Sequence, residues 1–191
     1  MADPTNPSSN NFNRSRRRFV AAAPMLAGAI IAVPVTMTHA HASSNLRRLR
    51  FHHTHTGEKL TIDYHDGVTF IPDALDEINN YLRDFRTGEQ YPIDIKLLDN
   101  LFRLGATLES HGTYEVISGY RSPATNAKLR AKSTGVAKRS LHMQGRAIDV
   151  RLTGCNTRVL YKACRSLSQG GTGYYGKSDF IHMDTGRVRY W

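Results

Sequence analysis

The chain has 191 residues, room for one domain of ordinary size plus a short appendage, and it carries no repeat or low-complexity tract. Its 26 Lys and Arg against 16 Asp and Glu give a formal net charge of +10, a balance that favours polyanions. No RNP, helix-turn-helix or zinc-finger pattern accompanies that charge, which argues against a nucleic-acid partner.

The appendage comes first. Ser15-Arg16-Arg17-Arg18-Phe19-Val20 is followed by an apolar, Ala-rich stretch to Met37 and by small residues at Ala40-His41-Ala42, the layout of a secretory signal. Consecutive arginines favour the twin-arginine (Tat) export machinery. Pro24 and Pro34 interrupt the apolar stretch and make it a poor membrane span, so no stable span is expected after cleavage, with retention as an anchor the alternative. The expected organisation is a Tat-type signal peptide over 1–42 and one domain over 43–191, in the periplasm or another extracytoplasmic space. Losing 1–42 removes four of the basic and one of the acidic residues, leaving a net charge of +7.

Leu49 to Tyr64 alternates apolar and polar residues about Thr56-Gly57-Glu58, which predicts a β-hairpin. Pro72 opens a helix whose apolar stripe, Ala74, Leu75, Ile78, Leu82 and Phe85, runs to Thr87-Gly88. A second helix is predicted over Ile95 to Leu108. Tyr114 to Ser118 reads as a strand stopped by Gly119, and Ser122-Pro123 opens a short helix through Asn126 to Lys132, followed by a basic loop over 133–138. Ala147 to Arg151 alternates as a strand. Asn156 or Thr157 caps a helix to about Ser168, Gly170-Gly171 breaks it, and short strands follow around Tyr174, Ile181 and Val188. Helices dominate early and strands late without regular βαβ alternation, which predicts an α+β domain on a mainly antiparallel sheet with flanking helices. Cys155 and Cys164 are the only cysteines, and their spacing leaves a disulfide open.

The chemistry concentrates in Ser140-Leu141-His142-Met143-Gln144-Gly145-Arg146-Ala147-Ile148-Asp149 and in Phe180-Ile181-His182-Met183-Asp184. Two imidazoles and a carboxylate suit zinc, and three protein ligands leave a fourth position for water. His142 and Asp149 would lie about 23 Å apart on one strand and about 10 Å apart on one helix, too far to share an ion, so the chain must turn between them. Gly145 is the residue that permits the turn. The alternative is that both histidines are ordinary polar residues and Asp149 caps a strand. His53 and His55 would share one face of the hairpin, with His52 opposite, and they are assigned to a structural or solvated face rather than to a metal.

Ser-x-His-x-x-Gly-x-Ala-x-Asp with a later His resembles the zinc peptidases related to D-alanyl-D-alanine carboxypeptidases and dipeptidases, whose fold is shared with hedgehog domains. With Ser118-Gly119-Tyr120-Arg121-Ser122 and Gly173-Tyr174-Tyr175, the chain looks most like the exported murein endopeptidase K group. The resemblance implies one Zn2+ held by His142, Asp149 and His182. It implies Arg121 beside the scissile peptide, either stabilising oxyanion charge or holding a substrate carboxylate, and Ser140 near the substrate, with Asn126 a weaker candidate. It places the catalytic base at Asp179, three residues before the last histidine. Strand alternation instead puts Asp184 on the face of His182, so Asp179 requires a turn at Lys177-Ser178-Asp179 to bring it round. The implied activity is zinc-dependent hydrolysis of peptide crosslinks in peptidoglycan. Alternatives are a murein carboxypeptidase trimming stem peptides and a non-catalytic, metal-containing peptidoglycan-binding module.

Overall fold

A computed structural model describes residues 45–191, so the expected signal peptide lies outside the described residues. Seven strands form one sheet: β1 (Leu46–His53), β2 (Lys59–Asp66), β3 (Tyr114–Ser118), β4 (Ala147–Leu152), β5 (Gly171–Tyr175), β6 (Phe180–Asp184) and β7 (Arg189–Tyr190). Their order is β2-β1-β3-β4-β6-β5-β7. Pairing is antiparallel except for β1 with β3 and β5 with β7, which bears out the α+β reading and its mainly antiparallel sheet.

Four helices accompany the sheet: α1 (Pro72–Tyr81), α2 (Ile95–Thr107), α3 (Pro123–Lys132) and α4 (Thr157–Leu167). Their starts follow local chemistry. Asp94, Ser122 and Asn156 each accept a hydrogen bond from a backbone N–H of the first turn, satisfying donors that have no partner inside the helix. No helix among the described residues is long and apolar enough to cross a membrane.

The first helix ends earlier than its apolar stripe predicts. The Leu82 carbonyl is recruited by Tyr120 N–H at 2.8 Å, and the Asp84 carboxylate accepts from Ser122 N–H at 2.9 Å. These contacts tie 82–84 to the segment after β3, and tertiary hydrogen bonding overrides the helical period. Phe85, at the end of that stripe, instead stacks on His55.

Alternation along β4 and β6 divides the sheet into two faces. Ile148, Val150, Leu152, Ile181 and Met183 join Leu97, Leu98, Leu101, Leu104 and Leu160 in one buried core. Each large aliphatic side chain buried there contributes roughly 1.5–3 kcal/mol, so the helical side of the sheet is the stable platform. The alternate residues, Asp149 on β4 and His182 and Asp184 on β6, face the other way. Cys155 and Cys164 are free thiols, Cys164 lying buried with its Sγ 3.4 Å from Thr172 Oγ1.

Candidate metal centre

The turn required between His142 and Asp149 is a single 3₁₀ turn over Leu141–Gln144, ended by Gly145 at φ 62°. A Cβ at Gly145 would lie 2.1 Å from the Pro92 carbonyl oxygen, so both the left-handed backbone and the close approach of 91–92 call for glycine. The Gly145 carbonyl in turn accepts from Asp94 N–H at 2.9 Å, fastening the turn to the start of α2. Asp149 and His182 need no such device. They are directly opposed in the β4–β6 ladder, which sets their side chains beside each other.

The three expected ligands meet. Asp149 Oδ1 is 2.9 Å from His182 Nδ1 and 3.3 Å from His142 Nε2, and the two ring nitrogens are 3.3 Å apart. A tetrahedral zinc ion with bonds of about 2.0–2.2 Å separates its ligand atoms by roughly 3.5 Å, so one ion fits this triangle with little adjustment. Among the described residues this is the group of His, Cys, Asp and Glu side chains that could hold a metal. Each imidazole is already turned for the task by its other nitrogen: His142 Nδ1 lies 2.8 Å from the Gly119 carbonyl and His182 Nε2 lies 2.9 Å from Asp184 Oδ2. Donation from those nitrogens leaves the inward-facing ones free to coordinate.

Without the ion, the charges lean on one another. Burial would push the Asp149 carboxyl up, but His142 and His182 hold it well below the usual carboxylate range. Burial would depress His182, yet its hydrogen bonds to Asp149 and Asp184 raise it to about 9. Burial also lowers Arg121, against the attraction of Asp149.

Arg121 and Ser140 both line a cavity of about 470 Å3 that opens over the triangle. Arg121 Nη2 donates to Ser118 Oγ at 3.3 Å and lies 3.6 Å from Asp149 Oδ2, while its buried Nε–H finds no acceptor among the described residues. The guanidinium thus lies beside the metal position, its Nη2 next to Asp149. Asn126 stands one step back, its Nδ2 donating to the Ala137 carbonyl at 3.1 Å and steadying the basic loop that walls the cavity.

The turn expected to bring Asp179 round does not do so. Asp179 has φ 52° and bonds the hydroxyl of Thr157 at the start of α4, with Arg151 Nη1 3.7 Å from its other oxygen. The turn exists, but Asp179 ends it just before β6 with a left-handed backbone, its carboxylate held by Thr157, and it does not line the cavity. Asp184 has the right parity but sits behind His182, its side chain wholly buried.

Sequence reasoning missed the far wall, which Tyr175, Phe180, Arg189 and Trp191 form. The Trp191 ring lies 5.4 Å from that of His182 and over Gly173, where a Cβ would come within 2.5 Å of it. The signal was the terminal Arg-Tyr-Trp together with a glycine opposite a metal ligand.

Comparison with known proteins identifies the family. The family described as peptidoglycan L,D-endopeptidase MepK matches residues 41–191. The peptidoglycan L,D-endopeptidase MepK of Escherichia coli (strain K12) is 37% identical over 185 residues, spanning 95% of this chain and all of that protein. The probable peptidoglycan L,D-endopeptidase MepK of Haemophilus influenzae is 34% identical over 183 residues, 95% of this chain and 98% of the relative.

Proposed function

This chain belongs to the peptidoglycan L,D-endopeptidase MepK family, and from that premise we propose that it hydrolyses peptide crosslinks of murein with one zinc ion held by His142, Asp149 and His182. The observation that carries the reading is the triangle of ligand atoms, 2.9 to 3.3 Å on a side, under a cavity of about 470 Å3. Zinc, when bound there, supplies Lewis-acid polarisation of the scissile carbonyl and acidifies water.

The chain's own residues supply the rest. Arg121 lines the cavity and offers a planar cation whose Nη2 is 3.6 Å from Asp149 Oδ2, suited to the negative charge that grows on the carbonyl oxygen during attack. Ser140 borders the same cavity next to the turn that carries His142 and is assigned to substrate positioning. The aromatic wall of Tyr175, Phe180 and Trp191 offers apolar surface to the aliphatic parts of a stem peptide.

The linkage proposed is the L,D crosslink for which the relatives are named. Export through the Tat machinery, on the Arg16-Arg17 signal, would deliver the enzyme to the murein, and its cationic surface would favour the wall's anionic polymers.

A digest of purified muropeptides with and without chelator tests the reading. Crosslinked dimers should become monomers in zinc and stay intact in chelator. Shortened stems without loss of dimer would make the enzyme a carboxypeptidase, and retention on murein without product would make it a binding module.

A further inference from the structure

His182 faces the metal triangle through Nδ1, and the ring is held in that orientation by whatever grips Nε2. That grip is Asp184, and Asp184 is itself gripped. Its Oδ1 accepts from Gly171 N–H at 3.0 Å, Gly186 N–H at 2.8 Å and Arg189 Nη1 at 3.1 Å. Its Oδ2 accepts from Arg189 Nη2 at 2.6 Å and meets His182 Nε2 at 2.9 Å. The carboxylate is saturated and immobile, and the two-pronged contact from Arg189 is the one side-chain clamp on it besides His182 itself.

The fold makes room for that clamp. β7 runs parallel to β5 with Arg189 in register with Gly171, and a Cβ on Gly171 would stand 2.3 Å from Arg189 Nη1 and 2.6 Å from Asp184 Oδ2. The fork occupies the space a side chain would fill. Trp191 covers it from the cavity side, with the guanidinium carbon 5.0 Å from the indole ring.

We propose that Arg189 is a positioning residue of the metal centre: its guanidinium fork locks Asp184, and Asp184 locks His182 with Nδ1 toward the ion. The proposal rests on His142, Asp149 and His182 being the ligands. Without the fork, Asp184 keeps two backbone donors on Oδ1 but no donor besides His182 on Oδ2, so the His182 ring is held less firmly against rotation and tautomer exchange. Partners that orient a metal-bound histidine typically contribute about 10–100-fold to metal affinity.

Zinc affinity of the metal-free full chain, measured by competition with a chromophoric chelator, separates the possibilities. His182→Ala should lose zinc binding outright; wild-type affinity there would overturn the ligand reading itself. Arg189→Met should weaken zinc by about 10–100-fold with an otherwise native circular dichroism spectrum, and Arg189→Lys, a point charge without the fork, should fall between. Gly171→Ala, which leaves every charge in place but fills the clamp's space, should weaken zinc in the same direction. Long-range 1H–15N spectra of the zinc-loaded protein should show one His182 tautomer in the wild type and exchange in Arg189→Met. Zinc affinity within about twofold of wild type in Arg189→Met, or in Arg189→Lys and Gly171→Ala should Arg189→Met not fold, overturns the proposal while leaving the ligand reading intact.

Discussion

Gly145→Ala should both destabilise the fold and damage the metal centre. An alanine at φ 62° incurs about 1–2 kcal/mol of left-handed strain. Its Cβ would sit 2.1 Å from the Pro92 carbonyl oxygen, a backbone atom that no side-chain rotation can clear. Reaching ordinary contact means parting the two segments by about 1.3 Å, which strains the Asp94 N–H to Gly145 carbonyl bond, worth about 1 kcal/mol, and adds an overpacking cost of about 1–3 kcal/mol. The total is about 3–6 kcal/mol, a large share of the roughly 5–15 kcal/mol that a domain possesses. Whatever part is relieved by moving the turn carries His142 with it, away from two partners now 3.3 Å distant. Gly154→Ala is the control, since Gly154 has φ 78° but nothing within 4 Å of its Cβ, leaving strain alone. Urea unfolding of the metal-free variants and chelator competition for zinc measure the two effects. Equal destabilisation by the two substitutions, with zinc affinity unchanged in Gly145→Ala, would refute the reasoning.

Other outcomes follow from the same geometry. Asp179→Ala should retain turnover within a few-fold in the muropeptide digest, because its carboxylate is engaged by Thr157 and does not line the cavity; loss of turnover with zinc retained would restore it as the base. Arg121→Ala should keep zinc yet lower kcat by about 100–1,000-fold, the usual cost of losing an oxyanion donor, and an effect on KM alone would assign it to substrate binding instead. In the metal-free protein His182 titrates at about 9 against an ordinary 6.5, so the stability it adds is fully present below about pH 6.5 and is lost as pH rises through 9. The melting temperature of the chelated protein should therefore fall across that window; a flat or rising profile contradicts the ion-pair account. His53 behaves oppositely: burial among Tyr81 and Phe85 depresses it to about 4, so its contribution is present above about pH 6.5 and lost as pH falls toward 4. His53→Phe should flatten that acid limb in thermal melts.

Much of the centre was legible in one dimension because its parts are local or follow a simple period. The glycine between His142 and Asp149 announces the turn, and alternation along Ala147–Leu152 and Phe180–Asp184 sends Asp149 and His182 to one face. The same alternation puts Asp184 on that face, while Asp179 lies in the turn before β6, and it was the family pattern at that position that argued for it as the base. What was not legible depends on pairing across the chain. The end of α1 is decided by Tyr120 and Ser122, some forty residues away, and no local stripe reports that Leu82 will surrender its carbonyl. Trp191's place in the wall and the Arg189 clamp exist because β7 adds in parallel to β5, a register two residues long that propensity cannot foresee. Hydrophobic period identifies faces; neighbours within a face are set by topology.

Trp191 is the only tryptophan in the chain, and its ring stands 5.4 Å from that of His182 at the mouth of the cavity. With excitation selective for indole over the nine tyrosines, the protein therefore carries a single reporter beside its proposed ligand set. Emission intensity and quenching should follow loading of the centre and arrival of a peptide without any attached label, and because no second indole contributes background, each change can be read as an event at this one place.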